Sequence, residues 1–372
     1  MISAAWLRVL HAARSGAAWR RAFFASDPPT PDALLALPDH TLVARGIDAA
    51  GIARLRNPEP GALEHLEAWL ASPGRKLVVW GSPEYPERLA RIPDPPLALW
   101  TAGERLELLS TPQIAMVGSR NATHGGRETA RAFAAYLSRS GLTITSGLAV
   151  GIDAASHLGA LDGPGGTIAV LAHGLDRIYP AEHEALAARI AEAGLLVSEY
   201  PPGVAPLPHH FPERNRIIAG LALGTLVVEA GRRSGALQTA RCASEYGREV
   251  FAIPGSIHNP LAKGCHALLK QGAKLVEEAA DVLVELAGQL ELDVAPPESR
   301  DDATAENGLT ADESYRNLLN VMGFEPASFG EIQARCGLTT AELSSMLLML
   351  ELEGLVEALP GGRYCRVQTR SR

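Results

Sequence analysis

Cysteine is scarce in this chain: Cys242, Cys265, Cys336 and Cys365 are the only four, and they lie far apart. No pair has C-x-x-C spacing, so neither a zinc site nor a disulfide framework is expected. They read as small buried residues in a reducing cytoplasm. No uncharged apolar run approaches the ~20 residues a membrane helix needs. The N-terminal apolar residues are interrupted by Arg8 and Arg14, so no signal-peptide layout follows. A soluble cytoplasmic protein without a membrane partner is expected. An excess of positive charge is also missing, since the net charge is -8. That argues against a protein basic enough to coat nucleic acid. It leaves room for a local basic groove, because phosphate contacts act within a Debye length of roughly 8–10 Å. Aromatics are only 5% of the 372 residues, so a single aromatic in a loop is worth notice.

What is present falls into three parts. Residues 1–72 read as a small all-helical domain of sterile-alpha-motif or helix-hairpin-helix type, with Pro28-Pro29 breaking the pattern. Such folds bind DNA or protein, or simply pad a neighbour. Residues 73–112 are Pro-rich and extended, leading to the strand-like Leu97-Ala-Leu-Trp-Thr101. From 113 to about 288 continuous apolar strands alternate with helices, which predicts a Rossmann-like, doubly wound parallel sheet covered on both faces. The strands are expected at 113–117, 142–145, 167–171, 195–199, 224–228, 249–253 and 274–276. One helix is expected over 213–222. The α/β domain therefore spans 73–290. Residues 291–313 carry eight acids against the lone Arg300 and read as a flexible linker. Residues 314–372 read as helices followed by a hairpin, a winged-helix domain.

Ligands of parallel sheets sit at the carboxyl ends of the strands. There the first strand ends in Val117-Gly-Ser-Arg-Asn-Ala-Thr123, a turn delivering the chain to a helix N-terminus. It is neither a dinucleotide fingerprint nor a Walker loop. Gly118 would permit close backbone approach, Ser119 could donate to an anion, and Arg120 offers a forked cation. The plain alternative is an ordinary strand–helix turn with Arg120 solvated. The second strand ends in Ser146-Gly-Leu-Ala-Val-Gly-Ile-Asp153. Asp153 should cap the following helix, and His157 reads as structural. Phe211-Pro-Glu-Arg-Asn-Arg-Ile-Ile-Ala-Gly220 then places an aromatic, two arginines and an amide at a helix start. These are parts suited to gripping a phosphate chain and stacking a base. Arg214 and Arg216 are two apart and so do not share a helix face. Arg232, Arg233, Ser234 and Gly235 follow the fifth strand, and Lys263 follows the sixth. Several such loops on one edge point to a polyanion or nucleotide. No G-x-S-x-G elbow, metal-ligand cluster or carboxylate pair beside a base accompanies them. Neither a cofactor nor a metal is expected, and the edge reads as one that holds rather than cuts.

These motifs, in this order, resemble the DNA processing protein A (DprA, or Smf) family. The match rests on Val117–Arg120, Ser146–Ala155, Gly174-Leu-Asp-Arg-Ile-Tyr-Pro180, Phe211–Gly220, Thr239-Ala-Arg241, Gly247–Phe251 and Pro254-Gly-Ser256. The resemblance implies a non-enzymatic binder of single-stranded DNA that protects incoming strands in natural transformation and loads the RecA recombinase. It implies a homodimer, with a surface around 236–262 that includes Leu237, Phe251 and Ile257. By position, Gly118, Ser119, Arg120, Phe211, Arg214, Asn215, Arg216, Arg232 and Lys263 would serve the DNA site. The chain departs from the family at Gly235-Ala-Leu-Gln-Thr, where a hydroxyl is lost and Gln238 is polar, and at Cys265–Leu269.

Two other readings stay open. Related folds act as phosphoribohydrolases, using a Pro-Gly-Gly-x-Gly-Thr run and a catalytic Glu; the corresponding stretch here, Glu229-Ala-Gly-Arg-Arg-Ser-Gly235, lacks that run. A transcription regulator would read duplex DNA through the winged helix. Its candidate recognition helix, Thr339–Glu353, has three acids and no Lys or Arg, whereas base readout favours Arg, Lys, Asn or Gln. Protein contact or accessory duty is expected of it, with Arg363, Arg366, Arg370 and Arg372 available for phosphates.

Overall fold

The computed structural model describes residues 2–14, 16–290, 313–323 and 326–367. It divides into two compact units, Met1–Pro296 and Pro297–Arg372.

The first unit begins with α1 (Ala4–Ala13), α2 (Ala17–Phe24), α3 (Pro31–Ala36), α4 (Asp39–Ala44), α5 (Ala49–Arg56) and α6 (Ala62–Leu70). Ser3, Thr30 and Asp48 cap α1, α3 and α5 by accepting from backbone N–H groups of Trp6, Ala33 and Gly51. Trp19, Phe23, Leu34, Leu42 and Leu55 are buried between the helices. Their cluster runs without a break into Leu77, Trp100, Leu171 and Leu196 of the sheet. The helices thus share a core with the α/β part.

The chain continues through β1 (Arg75–Val79), α7 (Glu87–Ala90), β2 (Ala98–Ala102), β3 (Gln113–Val117), α8 (His124–Arg139), β4 (Thr143–Ser146), α9 (Ile152–Ala160) and β5 (Thr167–Leu171). Then come α10 (Glu184–Ala193), β6 (Leu195–Ser198), α11 (His210–Leu221), β7 (Gly224–Val227), α12 (Ala236–Glu245), β8 (Glu249–Ala252), α13 (Lys263–Lys270), β9 (Lys274–Leu275) and α14 (Ala279–Leu290). The strand order is β1-β2-β6-β5-β4-β3-β7-β8-β9. From β6 to β9 every pairing is parallel. The expected doubly wound sheet is present, and its strands are buried on both faces, as at Ile114, Met116 and Val117. β1 and β2 extend it by antiparallel pairing. The Pro-rich stretch therefore supplies one strand more than the sequence indicated. β1 was not foreseen because it opens on the charged Arg75 and Lys76, which leaves a short apolar run. Winding proceeds outward from β3 to β6, then returns to β7 on the other side of β3. The ends of β3 and β7 form the switch point at which doubly wound sheets bind ligands.

The second unit contains α15 (Glu313–Met322), β10 (Ala327–Ser328), α16 (Phe329–Cys336), α17 (Thr340–Leu352), β11 (Val356–Leu359) and β12 (Arg363–Arg366). Its sheet order is β10-β12-β11. Capping boxes at Ser328/Glu331 and Thr339/Glu342 start α16 and α17. Leu319, Ile332, Leu343, Leu347 and Leu350 fill its core, giving the expected winged helix. Leu348 and Leu352 stand exposed on α17. The acidic linker up to residue 312, Arg370 and Arg372 lie outside the described residues. No described helix is long and apolar enough to cross a membrane.

Candidate nucleic-acid interface

Three loops lock together at the switch point. The Ser119 N–H donates to the Glu229 carbonyl at 2.7 Å, and the Ile152 N–H donates to the Ser119 carbonyl at 3.2 Å. A Cβ on Gly118 would lie 2.5 Å from Ile152 and 2.9 Å from the Glu229 carbonyl oxygen. The close approach expected of Gly118 is therefore an approach to the protein's own loops. Ser119 is buried, and its hydroxyl accepts from the Asn121 N–H at 3.2 Å. Ser119 thus builds the turn and faces inward, whereas Gly118 stays half-exposed beside it.

The N-terminus of α8 is already occupied by an anion. The Glu229 carboxylate accepts from the Thr123 N–H at 2.9 Å and from the Thr123 hydroxyl at 2.6 Å. A Cβ on Gly126 would collide with that carboxylate. Glu229 stands where a dinucleotide-binding fold places a phosphate.

Arg120 leaves the same turn exposed. Its guanidinium carbon sits 5.5 Å from the centre of the Phe211 ring, over its face. Phe211, half-buried at the start of α11, also meets Tyr179 with ring centres 5.6 Å apart. Tyr179 is 49% exposed. The sequence reading did not assign Tyr179 to the site. The available indication was a tyrosine in a carboxyl-end loop of a chain poor in aromatics.

The two arginines of α11 diverge by about 200° around the helix, and both are buried. Arg214 donates to the Gly147 carbonyl at 2.8 Å and to the Val170 carbonyl. Burial pulls its pKa down to about 10, partly offset by the charge of Asp153. Asp153 accepts from the Gly147 and Ala149 N–H groups at 3.1 and 3.4 Å. It fastens the loop before α9 instead of capping that helix. Burial raises its carboxyl pKa, against the opposing charge of Arg214. A Cβ on Gly147 would lie 2.6 Å from the Arg214 guanidinium, so the loop and the arginine fit only as a pair.

Arg216 points toward the N-terminal helices. It pairs with Glu199 at 2.6 Å and with Asp94 at 3.4 Å. Arg20 of α2 meets the same two acids, at 2.6 Å to Asp94 and 3.3 Å to Glu199. This quartet, buried except for the partly exposed Asp94, joins α2, the end of β6 and α11. Burial alone would raise the Asp94 carboxyl; hydrogen bonds and charge from Arg20 and Arg216 outweigh it and hold its pKa below the ordinary value. The expectation that Arg214 and Arg216 line the groove is corrected on both counts, because partners inside the fold take their guanidinium groups.

Asn215, between them, is half-exposed. It accepts from Arg214 at 3.3 Å and donates to the Gly235 carbonyl at 3.5 Å, tying α11 to the β7–α12 turn. Arg232 and Arg233 are exposed on that turn. Lys263 donates to the Ile257 carbonyl. Arg232, Ile257, Lys263, His266 and Lys270 line a cleft beside it. The structure thus groups Arg120 with Phe211, places Asn215 one turn further along α11 against the β7–α12 turn, and groups Arg232 with Lys263. Of the expected dimer residues, Ile257 is 67% exposed, whereas Phe251 is wholly buried against Gly224 in the core. Phe251 offers no surface and is corrected to a packing residue. Leu237 is half-buried against the core of α11 and α12.

A family profile described as DNA recombination-mediator protein A matches residues 76–287, and one described as DprA winged helix domain matches 296–362. Protein Smf of Escherichia coli (strain K12) is 44% identical over 308 residues, which are 82% of this chain and 81% of that protein. DNA processing protein DprA of Streptococcus pneumoniae is 49% identical over 201 residues, 54% of this chain and 71% of that one. The X-ray structure of DprA from Streptococcus pneumoniae superposes with a TM-score of 0.66 at 36% identity, covering 77% of this chain and 99% of that chain. DprA from Helicobacter pylori, whose structure describes a single-stranded DNA binding mode, gives a TM-score of 0.52 at 28% identity, covering 57% and 97%. With one profile spanning over half of the sequence and a second on the winged helix, the chain belongs to the DNA recombination-mediator protein A family, also called DprA or Smf.

Proposed function

We propose that this protein binds single-stranded DNA across the carboxyl edge of its parallel sheet, protects incoming strands and loads RecA recombinase onto them during natural transformation. It does so as a cytoplasmic homodimer and without catalysis. The observation that carries the reading is the exposed Arg120 guanidinium held over Phe211 at the switch point. A forked cation suits phosphate, and an aromatic platform suits any base, so together they favour a strand without choosing a sequence. The neighbouring acids are each engaged in hydrogen bonds or ion pairs of the fold. Glu229 is taken by Thr123, Asp153 by backbone N–H groups and Arg214, and Asp176 by Arg177 and the Gly203 N–H. Arg232, Arg233 and Lys263 continue the positive edge toward α13. The single-stranded DNA binding mode named for the Helicobacter pylori relative supports the same ligand. Leu237 and the exposed Ile257 serve the proposed dimer contact.

Hydrolysis of nucleoside monophosphates is disfavoured because the stretch Glu229–Gly235 lacks the Pro-Gly-Gly-x-Gly-Thr run that such enzymes use. The test is fluorescence anisotropy with a labelled oligothymidine and a duplex of equal length, at salt from about 50 to about 200 mM. Tighter, salt-sensitive binding of the single strand is expected. Equal affinity for the duplex, or base release from AMP by the purified protein, would overturn the reading.

A further inference from the structure

We infer that Tyr179 supplies the open stacking face of this edge and selects unpaired bases over duplex; the inference rests on the proposed binding of single-stranded DNA. Phe211 is only half available. Arg120 lies over its face, Tyr179 packs against it, and the ring is half-buried. Tyr179 is the outermost aromatic of the three-part contact and is 49% exposed.

Its exposure is imposed by a well-tethered loop. The Gly174 N–H donates to the Val204 carbonyl at 2.9 Å. The Asp176 carboxylate accepts from the Gly203 N–H at 2.7 Å. The His183 ring is hydrogen-bonded to the Leu148 carbonyl at 2.9 Å. His173, beneath, is bonded to the Gly174 carbonyl at 2.9 Å. A ring that packs against Phe211 on a loop tethered in this way has less freedom to lose when a ligand arrives, which lowers the entropic cost of stacking. Arg120 reads phosphate, which both single strands and duplexes carry. A base already paired and stacked in a duplex has no face to offer Tyr179. Strand discrimination therefore falls to the tyrosine, and affinity common to both forms falls to the arginine.

The test uses the full chain with three probes: an oligothymidine, a duplex of equal length, and a single strand of the same length made of abasic sites. Stacking on aromatics is worth enough per base that Tyr179→Ala should weaken oligothymidine binding about 5- to 150-fold. The salt slope should stay as in wild type, and affinity for the duplex and the abasic strand should not change. Tyr179→Phe, which keeps the ring, should bind like wild type. The exposed position predicts an unchanged urea midpoint for both variants. Wild-type affinity of Tyr179→Ala for oligothymidine overturns the inference and leaves the DNA-binding reading intact. An equal loss on the abasic strand also overturns it, because the tyrosine would then act through phosphate or loop shape. Failure of the wild-type protein to bind oligothymidine removes the reading itself.

Discussion

Arg216 offers a sharp test of which side of α11 faces the ligand. Its guanidinium approaches the Glu199 carboxylate at 2.6 Å, and their side chains are 9% and 1% exposed. Arg20, 3% exposed, is the second cation on Glu199, at 3.3 Å. The quartet holds two cations and two anions, so its charge cancels, with Arg20, Arg216 and Glu199 buried and Asp94 at the edge, 40% exposed. Arg216→Met keeps much of the side-chain volume but leaves one anion in excess, with Glu199 deprived of its nearest partner. Breaking a buried pair from one side costs about 3–5 kcal/mol, and urea unfolding of the full chain would read this as a lower midpoint. In Arg216→Met/Glu199→Leu the Arg20–Asp94 contact at 2.6 Å remains, and the orphaned charge is gone. The double variant should therefore recover about 2 kcal/mol relative to the sum of the single changes. Folded Arg216→Met should bind oligothymidine with the wild-type salt slope. A loss of stability below about 1 kcal/mol together with a shallower salt slope would refute the reasoning and return Arg216 to the groove.

His157 predicts a pH dependence. Burial, with added repulsion from His183 and Arg214, pulls its pKa from 6.5 to about 3. Between those values the unfolded chain binds a proton that the folded chain refuses. The contribution of neutral His157 is thus complete above about pH 6.5 and is lost as pH falls, by up to about 1.4 kcal/mol per unit. His157→Gln should flatten urea midpoints across this window; a slope equal to wild type contradicts the assignment. Sedimentation tests the proposed dimer. Ile257→Asp should shift it to monomer without lowering the unfolding midpoint, and a dimer that persists would exclude this patch. Phe251→Ala should cost about 3–5 kcal/mol through core packing, and a variant of unchanged stability would contradict its burial.

The parallel sheet was legible because its strands carry unbroken apolar runs, as in Ile114–Val117 and Ile168–Leu171, both buried throughout. Such runs indicate strands covered on both faces. The antiparallel edge was less so: β2 carries an apolar run, whereas β1 opens on charged residues. At the site, loop positions were readable from Gly and Arg, but side-chain directions were not. Two arginines spaced by two residues must diverge on a helix; which of them meets an acid depends on Asp94 and Glu199, far away in sequence. Glu229 illustrates the same limit. Only the fold brings it to Thr123, 106 residues earlier, and there it fills the anion position the turn seemed to offer a ligand. Tyr179 became noticeable only through its contact with Phe211.

The most direct test of the central claim is the salt dependence of oligothymidine binding to wild type and Arg120→Ala. Arg120 is exposed and sits over Phe211, so its loss should leave the fold intact while removing one phosphate contact. Affinity should fall about tenfold or more at low salt. The log–log salt slope should become shallower by about 0.7, the value for one phosphate on a single strand. Wild-type affinity and slope in Arg120→Ala would contradict the account.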